Sequence, residues 1–475
     1  MAPDMNRPIA RLALVTCAML LWPAVSAGLE SSAEDRRSIG VTVYNDDLAL
    51  VREVRSVELP AGQSELRFMD VPSEIRPETV SVRASGDRRL EVLEQNYEYD
   101  LLSPDKVLEK YVGRQVTVYV KNEETGVEKP VRARLLSVNE GHIFEIGDEI
   151  SLGLPGRVVV PNLPDNLIAR PTLVWLLQGR SPGARDLEVS YLTRQMSWKA
   201  DYVAALAADG RTLDLTGWVT IDNRSGAMFA NAKLKLVAGD VHVVQRRPEP
   251  RYDMAMAKAA EEGAGFQERE LFEYHLYELE RQTTLKNNQS KQIELLDVTG
   301  VAAQKRYTAE SRFEPYANVR PPTGDDVENA SVEIEFRNDR TAGLGRPLPR
   351  GIVRVYTEDA DGTAIFAGED RIDHTPDGET VRLTVGKAFD VVWERNVLSF
   401  REISKREVEA EVEVLVRNRK KEPVTVKVIE RFSSARELLS STMKAAEPDA
   451  FTLEFDVEVP ARGENRIAYR VRANR

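Results

Sequence analysis

Residues 408–414 read Val-Glu-Ala-Glu-Val-Glu-Val, so apolar and acidic side chains alternate without a break. Successive side chains of a β-strand point to opposite faces, and this pattern is therefore typical of a strand with one buried face and one face in water. The same alternation recurs in residues 332–336 and 453–459. These stretches predict an all-β protein.

Turn-forming residues separate the strand-like runs along the whole chain of 475 residues. Examples are Asn45-Asp-Asp47, Pro60-Ala-Gly62 and Pro376-Asp-Gly378, and these residue types favour tight turns. The length is enough for two to four domains of roughly 100 to 200 residues. We therefore expect several β-sandwich or barrel domains, with immunoglobulin-like sandwiches in the C-terminal part.

The first 27 residues have the features of a secretory signal peptide. Arg7 and Arg11 precede an apolar segment, and Val25-Ser-Ala27 supplies a cleavage site of small residues. We expect cleavage after Ala27 and a periplasmic or secreted protein. The single cysteine, Cys17, would leave with the signal, so the mature chain is predicted to be cysteine-free and without disulfides.

The chain carries 65 Lys and Arg against 77 Asp and Glu, a formal net charge of −12. An acidic protein repels the phosphate backbone, so nucleic acid is not an expected partner. Beyond residue 27 no apolar stretch reaches the roughly 20 residues of a membrane-spanning helix, so no transmembrane segment is predicted in the mature chain. Hydrolase, phosphate-binding and dinucleotide motifs are missing from the sequence, and we assign no catalytic residue and no cofactor.

Residues 28–99 read as four or five strands and predict a small N-terminal β-domain. Residues 100–165 have a different character. Ser103 as N-cap, Pro104 at the first helical position and Gly113 beyond the end predict a helix over 104–112. Five short strands follow, which is the layout of a small SH3-like or Sm-like barrel. Because charge and compartment argue against RNA binding, we interpret the barrel as structural.

Residues 166–475 are predicted to form one or more β-sandwich domains. A strand that ends in Asn before a turn recurs at Asn223, Asn338 and Asn418. Asn suits such positions because it tolerates left-handed backbone and hydrogen-bonds to its neighbours. Residues 245–268 lack strand periodicity and are predicted to be a mobile insertion.

Five motifs in order give this region its resemblance to a known family. They are Leu187-Glu-Val-Ser-Tyr-Leu192 with Ser197-Trp-Lys-Ala-Asp-Tyr202, Trp218-Val-Thr-Ile-Asp-Asn223 with residues 232–240, Phe272-Glu-Tyr-His-Leu-Tyr277 with residues 284–288, residues 343–351 with Val353-Arg-Val-Tyr356, and Gly368-Glu-Asp-Arg-Ile-Asp-His374. Residues 185–475 thereby resemble the bacterial exported family called domain of unknown function 4139, whose domain also occurs in mucoidy-inhibitor-type proteins. Those proteins carry a distinct N-terminal domain and a coiled coil, and no heptad run is visible here. The resemblance implies a β-rich envelope protein and supplies no catalytic residues.

Residues 368–379 hold the densest group of polar side chains. On a strand over residues 369–374, Asp370 and His374 would share one face. They are candidate ligands for a hard cation, with further ligands from elsewhere. The alternative is a strand with solvated charges that runs into a turn.

A second candidate is the alternating stretch around His275. A strand here would place Glu273, His275 and Tyr277 on one face, opposite Phe272 and its alternating neighbours. A carboxylate, an imidazole and a phenol together can bind a ligand or transfer protons at neutral pH. The alternative is a hydrogen-bonded sheet face without a ligand.

Two further features are interpreted as structural. The segment Gly343-Leu-Gly-Arg-Pro-Leu-Pro-Arg-Gly351 lacks the Lys-Ser/Thr pair of a phosphate loop and predicts a rigid, sharply turning connection. Trp175, Trp198, Trp218 and Trp393 lie in or beside strands and are predicted to be core aromatics. A carbohydrate platform would need at least one of them exposed.

The sequence therefore predicts an envelope protein of unknown molecular function, a binding or scaffold protein that acts through β-sandwich surfaces. Its expected partner is an envelope protein or a glycan, with strand addition at a sheet edge as one mode of binding. The alternative is a periplasmic hydrolase or metal-dependent enzyme that uses Asp370 and His374, or Glu273 and His275. A buried pocket that joins carboxylate and histidine would favour the enzyme.

Overall fold

The computed structural model describes residues 29–84, 90–121, 125–153, 156–164, 167–239, 266–271, 274–314, 327–359 and 361–474. Over these residues the protein is all-β, with several sheets and one short α-helix, as predicted. Three 3₁₀-helices of three residues each are present at Ala33–Asp35, Pro77–Thr79 and Arg340–Ala342. No helix in these ranges is long and apolar enough to cross a membrane.

The chain begins with six strands that belong to two different sheets. They are β1 (Leu29–Ser31), β2 (Arg36–Tyr44), β3 (Ala49–Leu59), β4 (Gly62–Met69), β5 (Ser81–Ala84) and β6 (Glu91–Glu98). Burial alternates along β3, where every second residue is inaccessible to water. Apolar residues occupy four of these six inward positions, and the other two are the charged residues Glu53 and Arg55.

Helix α1 (Pro104–Lys110) and five strands form the predicted barrel unit. The strands are β7 (Gln115–Lys121), β8 (Glu128–Ser137), β9 (Ile143–Ile146), β10 (Glu149–Leu152) and β11 (Arg157–Val159), in the sheet order β10-β9-β8-β7-β11. The Ser103 hydroxyl caps α1 by accepting a hydrogen bond from the backbone N–H of Lys106. A small core of its own includes the buried side chains of Leu135 and Phe144.

Eight strands follow the barrel unit. Six of them complete the two sheets that the first six strands began, and β14 and β15 belong to a third, larger sheet. They are β12 (Thr172–Gly179), β13 (Gly183–Thr193), β14 (Met196–Leu206), β15 (Thr212–Asn223), β16 (Phe229–Ala238), β17 (Phe266–Leu271), β18 (Tyr274–Leu279) and β19 (Thr283–Leu285). One sheet has the order β1-β4-β12-β6, and the other has the order β17-β18-β16-β2-β3-β13-β5 with β19 beside β16. Strands β6 and β12 are direct neighbours, so the barrel unit is inserted between two paired strands.

The last eleven strands build most of a sheet of 13 strands. They are β20 (Gln289–Phe313), β21 (Val327–Arg337), β22 (Gly351–Glu358), β23 (Ala364–Ile372), β24 (Thr380–Ser404), β25 (Glu407–Asn418), β26 (Val424–Phe432), β27 (Arg436–Ser441), β28 (Ala446–Asp449), β29 (Thr452–Val459) and β30 (Glu464–Asn474). The main path is β23-β22-β14-β15-β20-β21-β24-β25-β30-β27, and β26, β28 and β29 extend it from β20. Strands β20 and β24 are 25 residues long each.

The hydrophobic cores cross the expected boundary between residues 28–99 and 166–475. The first core runs from Ile39 to Leu383 and combines side chains of both segments. Strand β3 pairs with β13 over eleven consecutive residues. A second core, from Tyr307 to Ala473, belongs to the C-terminal strands alone. The N-terminal strands are therefore half of a sandwich that later strands complete.

Three of the sequence predictions lie outside the described residues. These are the signal peptide over 1–27, the side chain of Glu273, and the insertion over 245–268 apart from its last residues, which enter β17 at Phe266. The helix predicted over 104–112 begins where expected and ends at Lys110.

The three recurring asparagines are buried at strand ends, where their side-chain amides bond to the backbone of nearby turns. Asn223, Asn338 and Asn418 are at most 1% exposed. The Nδ2 group of Asn418 donates to the carbonyl oxygens of Glu422 (2.7 Å) and Pro460 (3.1 Å), and its Oδ1 accepts from the N–H of Lys420 (2.9 Å).

The other two asparagines bond in the same way. Asn223 donates to the carbonyls of Ala227 and Lys286, and Asn338 donates to those of Arg346 and Pro376. Each amide thus ties a turn to a neighbouring segment and pairs backbone groups that would otherwise be buried without partners.

Replacement of Asn418 by Ala is expected to lower the free energy of unfolding by about 2–3 kcal/mol, because buried carbonyl oxygens lose their donor. Asn418→Asp is expected to be at least as destabilising, since a carboxylate would face those oxygens. Urea unfolding of the full chain measures both effects, and exposed Asn139→Ala is the control. A loss below about 0.5 kcal/mol for Asn418→Ala would show that the corner does not need the amide.

Candidate functional site

The connection over residues 343–351, predicted to be rigid, is hydrogen-bonded to side chains from other parts of the chain. The hydroxyl of Tyr202 donates to the carbonyl of Pro349 (2.8 Å), and that of Tyr277 donates to the carbonyl of Pro347 (3.0 Å). The backbone N–H of Arg350 donates to Nδ1 of His374 (3.2 Å). Gly343 and Gly345 adopt positive φ angles of 83° and 67°, which other residues adopt only with strain.

Tyr277 is therefore a core residue of the first sandwich. Its side chain is 3% exposed and its ring lies edge-on to Trp198. Leu276 is also buried, so the expected alternation does not hold at this point of β18. His275 is half-buried beside Ala238 of β16. The structure does not present His275 and Tyr277 as one open face.

Asp370 and His374 are engaged mainly with backbone. One carboxylate oxygen of Asp370 accepts from the N–H of Thr384 on β24 (2.7 Å), and the other accepts from the N–H of Arg371. Strand β23 ends at Ile372, so His374 lies beyond it. Among the described residues, no group of three or more His, Cys, Asp or Glu side chains is arranged to hold a metal ion.

A buried carboxylate that the sequence reading missed lies inside the first sandwich. Glu53 is inaccessible to water and accepts hydrogen bonds from Arg36 (2.7 Å), Arg55 (3.1 Å) and the Tyr191 hydroxyl (3.1 Å). The Arg55 guanidinium lies 3.5 Å from the centroid of the Phe68 ring. Burial, reinforced by Glu53, raises the pKa of Tyr191 well above its ordinary value, so the phenol remains a donor.

The second sandwich contains a similar arrangement around Glu430. Its carboxylate accepts from Arg395 (2.9 Å), Ser311 (3.0 Å) and the Tyr469 hydroxyl. Burial and the adjacent carboxylate raise the pKa of Tyr469 well above its ordinary value. Neither cluster borders the surface cavities of about 1000 and 510 Å³. Both networks lie inside the sandwiches, away from these two cavities.

The tryptophans divide into two groups. Trp175, Trp198 and Trp393 are at most 4% exposed, as predicted for core aromatics. Trp218 is 37% exposed, so the prediction that it belongs to the core is wrong. Its neighbours at 215, 217, 219 and 221 are Leu, Gly, Val and Ile, whereas 216, 220 and 222 are Thr, Thr and Asp. Strand parity thus assigns Trp218 to the polar face, and this was readable from the sequence.

Trp218 lies near the centre of the outer face of five strands, β23-β22-β14-β15-β20. This surface is called the Trp218 face below. The residues paired in one row across it are Glu294, Trp218, Asp201, Ile352 and Arg371. The ring of Trp218 lies outside the two hydrophobic cores, and 37% of the residue's surface remains exposed on this face.

Apolar side chains continue diagonally from Trp218 to the edge of the sheet. Val203 on β14 is 36% exposed, and Phe366 on the edge strand β23 is 53% exposed. The ring of Phe366 contacts that of Tyr356 on β22 edge-on, with centroids 5.6 Å apart. These apolar side chains form a stripe across β15, β14, β22 and β23. Charged side chains flank the stripe.

Salt bridges hold the polar groups of the Trp218 face in place. Asp201 accepts from Arg354 (3.1 Å) and lies 3.8 Å from the ammonium of Lys199. Arg354 also reaches Glu369 on β23 (3.3 Å). The face therefore offers an aromatic ring beside oriented donors and acceptors.

Two β-bulges adjoin the aromatic residues of this face. The β15–β20 register shifts between Gly217 and Trp218, and the β22–β23 register shifts between Val355 and Tyr356. Bulges locally re-aim side chains and are frequent beside functional sites. Both bulges are consistent with side chains positioned for contact with a ligand.

Substitution of Asp370 tests the assignment that its carboxylate accepts backbone hydrogen bonds and does not bind a metal ion. Asp370→Ala is expected to lower the free energy of unfolding by about 1 kcal/mol, because the bond that ties β23 to β24 is lost. Thermal unfolding of the wild type is expected to be the same in EDTA and in Mg²⁺, Mn²⁺ or Zn²⁺. The exposed Asp373→Ala is the control. Stabilisation of the wild type by one of these cations, absent from Asp370→Ala, would contradict the assignment.

Comparison with known families gives two matches. A profile described as a domain of unknown function (DUF4139) matches residues 187–474. A second, described as an N-terminal domain of unknown function (DUF4140), matches residues 41–115. No curated protein sequence matches the chain. The two segments share the first hydrophobic core, and the Trp218 face lies within the larger one. Because the larger match covers more than half of the chain, the protein belongs to the DUF4139 family.

Proposed function

We propose that this protein is an exported, non-catalytic binding protein that recognises a glycan of the cell envelope on the Trp218 face. The partly exposed ring of Trp218 on the surface of the sheet carries the proposal. Pyranose rings present an apolar C–H surface, and an aromatic ring buries such a surface well. Burial of apolar area contributes about 25 cal/mol per Å².

The polar side chains around the ring can bind the hydroxyl groups of a sugar. Hydroxyl groups both donate and accept hydrogen bonds, and Asp201, Arg354 and Glu369 offer both kinds of partner. Because these side chains already hold one another, little side-chain freedom is lost on binding. Bonds to charged groups are also stronger than bonds between neutral groups.

The balance of charge favours a neutral glycan. On the strands of this face the acidic side chains Asp201, Asp222, Glu294, Asp297 and Glu369 outnumber the basic side chains Lys199, Arg354 and Arg371. A strongly acidic polymer would therefore be repelled. The face is open rather than a deep cleft. We therefore expect dissociation constants of about 0.1–1 mM for a short oligosaccharide.

An enzyme based on Asp370 and His374, or on Glu273 and His275, is less well supported. Asp370 and His374 are engaged with backbone groups, and neither residue lines the cavities of about 1000 and 510 Å³. Export rests on the signal-like residues 1–27. Mass spectrometry of the mature N-terminus checks export, and an intact N-terminus on protein from the native envelope would contradict it.

Binding is tested with hexasaccharides of β-1,4-linked N-acetylglucosamine, β-1,4-linked glucose and α-1,4-linked galacturonate. Isothermal titration calorimetry measures the affinity of the wild type and of each variant, because Trp218→Ala lacks the fluorescent ring. In the wild type a change in tryptophan fluorescence should report Trp218, since the other described tryptophans are buried. A neutral hexasaccharide is expected to bind, galacturonate is not, and Trp218→Ala is expected to weaken binding at least tenfold. Phe389→Ala, which removes an exposed aromatic outside this face, is the control.

Two results would overturn the glycan proposal. One is the failure of every oligosaccharide, together with isolated glycan strands of the native envelope, to bind the wild type. The other is unchanged affinity in a folded Trp218→Ala variant. If crosslinking in the native envelope instead captures one dominant protein through this face, the partner is a protein and not a glycan.

A further inference from the structure

A surface cavity of about 1000 Å³ lies at the junction of the two sandwiches. Its walls are the turn between β14 and β15, at residues 207–211, and the turn between β25 and β26, at residues 422–425. Residues 303–307 of β20 form its floor, where this strand passes from the first core to the second. The volume is that of a site for a ligand of drug-like size.

The lining of the cavity carries four cationic and three acidic side chains, a small positive excess in a chain whose net charge is −12. Two of its cations are paired, because Arg306 bonds to Glu335 (3.0 Å) and Lys427 bonds to Glu454 (2.8 Å). The other cations in the lining are Arg211 and Lys305, and the lining acids are Asp209, Glu422 and Asp456.

The two remaining cations lack a carboxylate partner. Within the ranges that the structure describes, no Asp or Glu oxygen lies within salt-bridge distance of Arg211 or Lys305. Asp209 is occupied by its own turn, where it accepts from the N–H of Arg211 (2.9 Å). An anion that entered the cavity would meet two cationic groups whose charge no side chain neutralises.

A third cation lies beside a buried aromatic ring of the cavity lining. Tyr307 is 8% exposed, and the ammonium groups of Lys305 and Lys420 each lie 5.7 Å from the centroid of its ring. Each contact is favourable as a cation–π pair. Lys420 thus places a third positive charge beside Tyr307, a residue that lines the cavity.

We propose that this cavity binds a small polyanion that carries phosphate or carboxylate groups. Arg211 and Lys305 would contact the anion directly, and Lys420 would contribute its charge from beside Tyr307. The salt bridges of Arg306 and Lys427 hold the surrounding walls in place. The proposal does not rest on the Trp218 face, so either can fail while the other stands.

Isothermal titration at low salt with pyrophosphate and with citrate tests the proposal. We expect at least one of them to bind the wild type, with an affinity that falls as NaCl is raised, because salt screens the attraction. The Arg211→Gln/Lys305→Gln double variant is expected to lose at least tenfold in affinity. The Lys405→Gln/Lys444→Gln double variant removes the same charge from exposed sites elsewhere and is the control.

The outcomes are distinguishable. Binding of pyrophosphate alone identifies a phosphate site, and binding of citrate alone identifies a carboxylate site. Binding of neither anion to the wild type would overturn the proposal, as would equal losses in the two double variants, which would reflect overall charge. Circular dichroism checks that each variant is folded. If the Arg211→Gln/Lys305→Gln variant is unfolded, the single variant Lys305→Gln replaces it, with an expected loss of about threefold in affinity.

Discussion

The backbone ladder along β20 and β24 is the constraint on which the rest of the structure depends. Each strand has 25 residues and contributes to both hydrophobic cores. A strand held by hydrogen bonds on both sides cannot bend sharply without losing ladder bonds. The two sandwiches are therefore connected by continuous sheet rather than by a flexible linker.

Both proposed sites follow from this continuity. The Trp218 face needs five strands from distant parts of the chain in one register, and β20 forms one side of it. The cavity of about 1000 Å³ lies where β20 leaves the first core and the two turns meet. A ligand at either site would contact preformed surfaces, which lowers the entropy cost of binding.

Buried polar groups lie within or beside the apolar cores of both sandwiches. Asn223, Asn338 and Asn418 each pair carbonyl oxygens at a strand end, and Glu53 and Glu430 each gather Arg and Tyr donors. Such groups are favourable only when their hydrogen bonds are complete, because an unpaired buried polar atom is costly. Asn418 uses both ends of its amide, whereas Oδ1 of Asn338 and Oε1 of Glu430 are buried without a hydrogen-bond partner among the described residues. The paired groups favour one arrangement of the strands.

The sequence by itself determined the all-β class, most strand positions, the start of α1 and the corner role of the asparagines. These follow from local rules, namely alternation, turn chemistry and capping. The parity of β15 also marked Trp218 as outward-facing. Only the tertiary structure decided that residues 41–98 share a core with later strands, that Tyr277 is buried, and that Arg211 and Lys305 face one cavity. Pairings such as β3 with β13 join residues more than 100 positions apart, and no local pattern in the sequence encodes which strands meet.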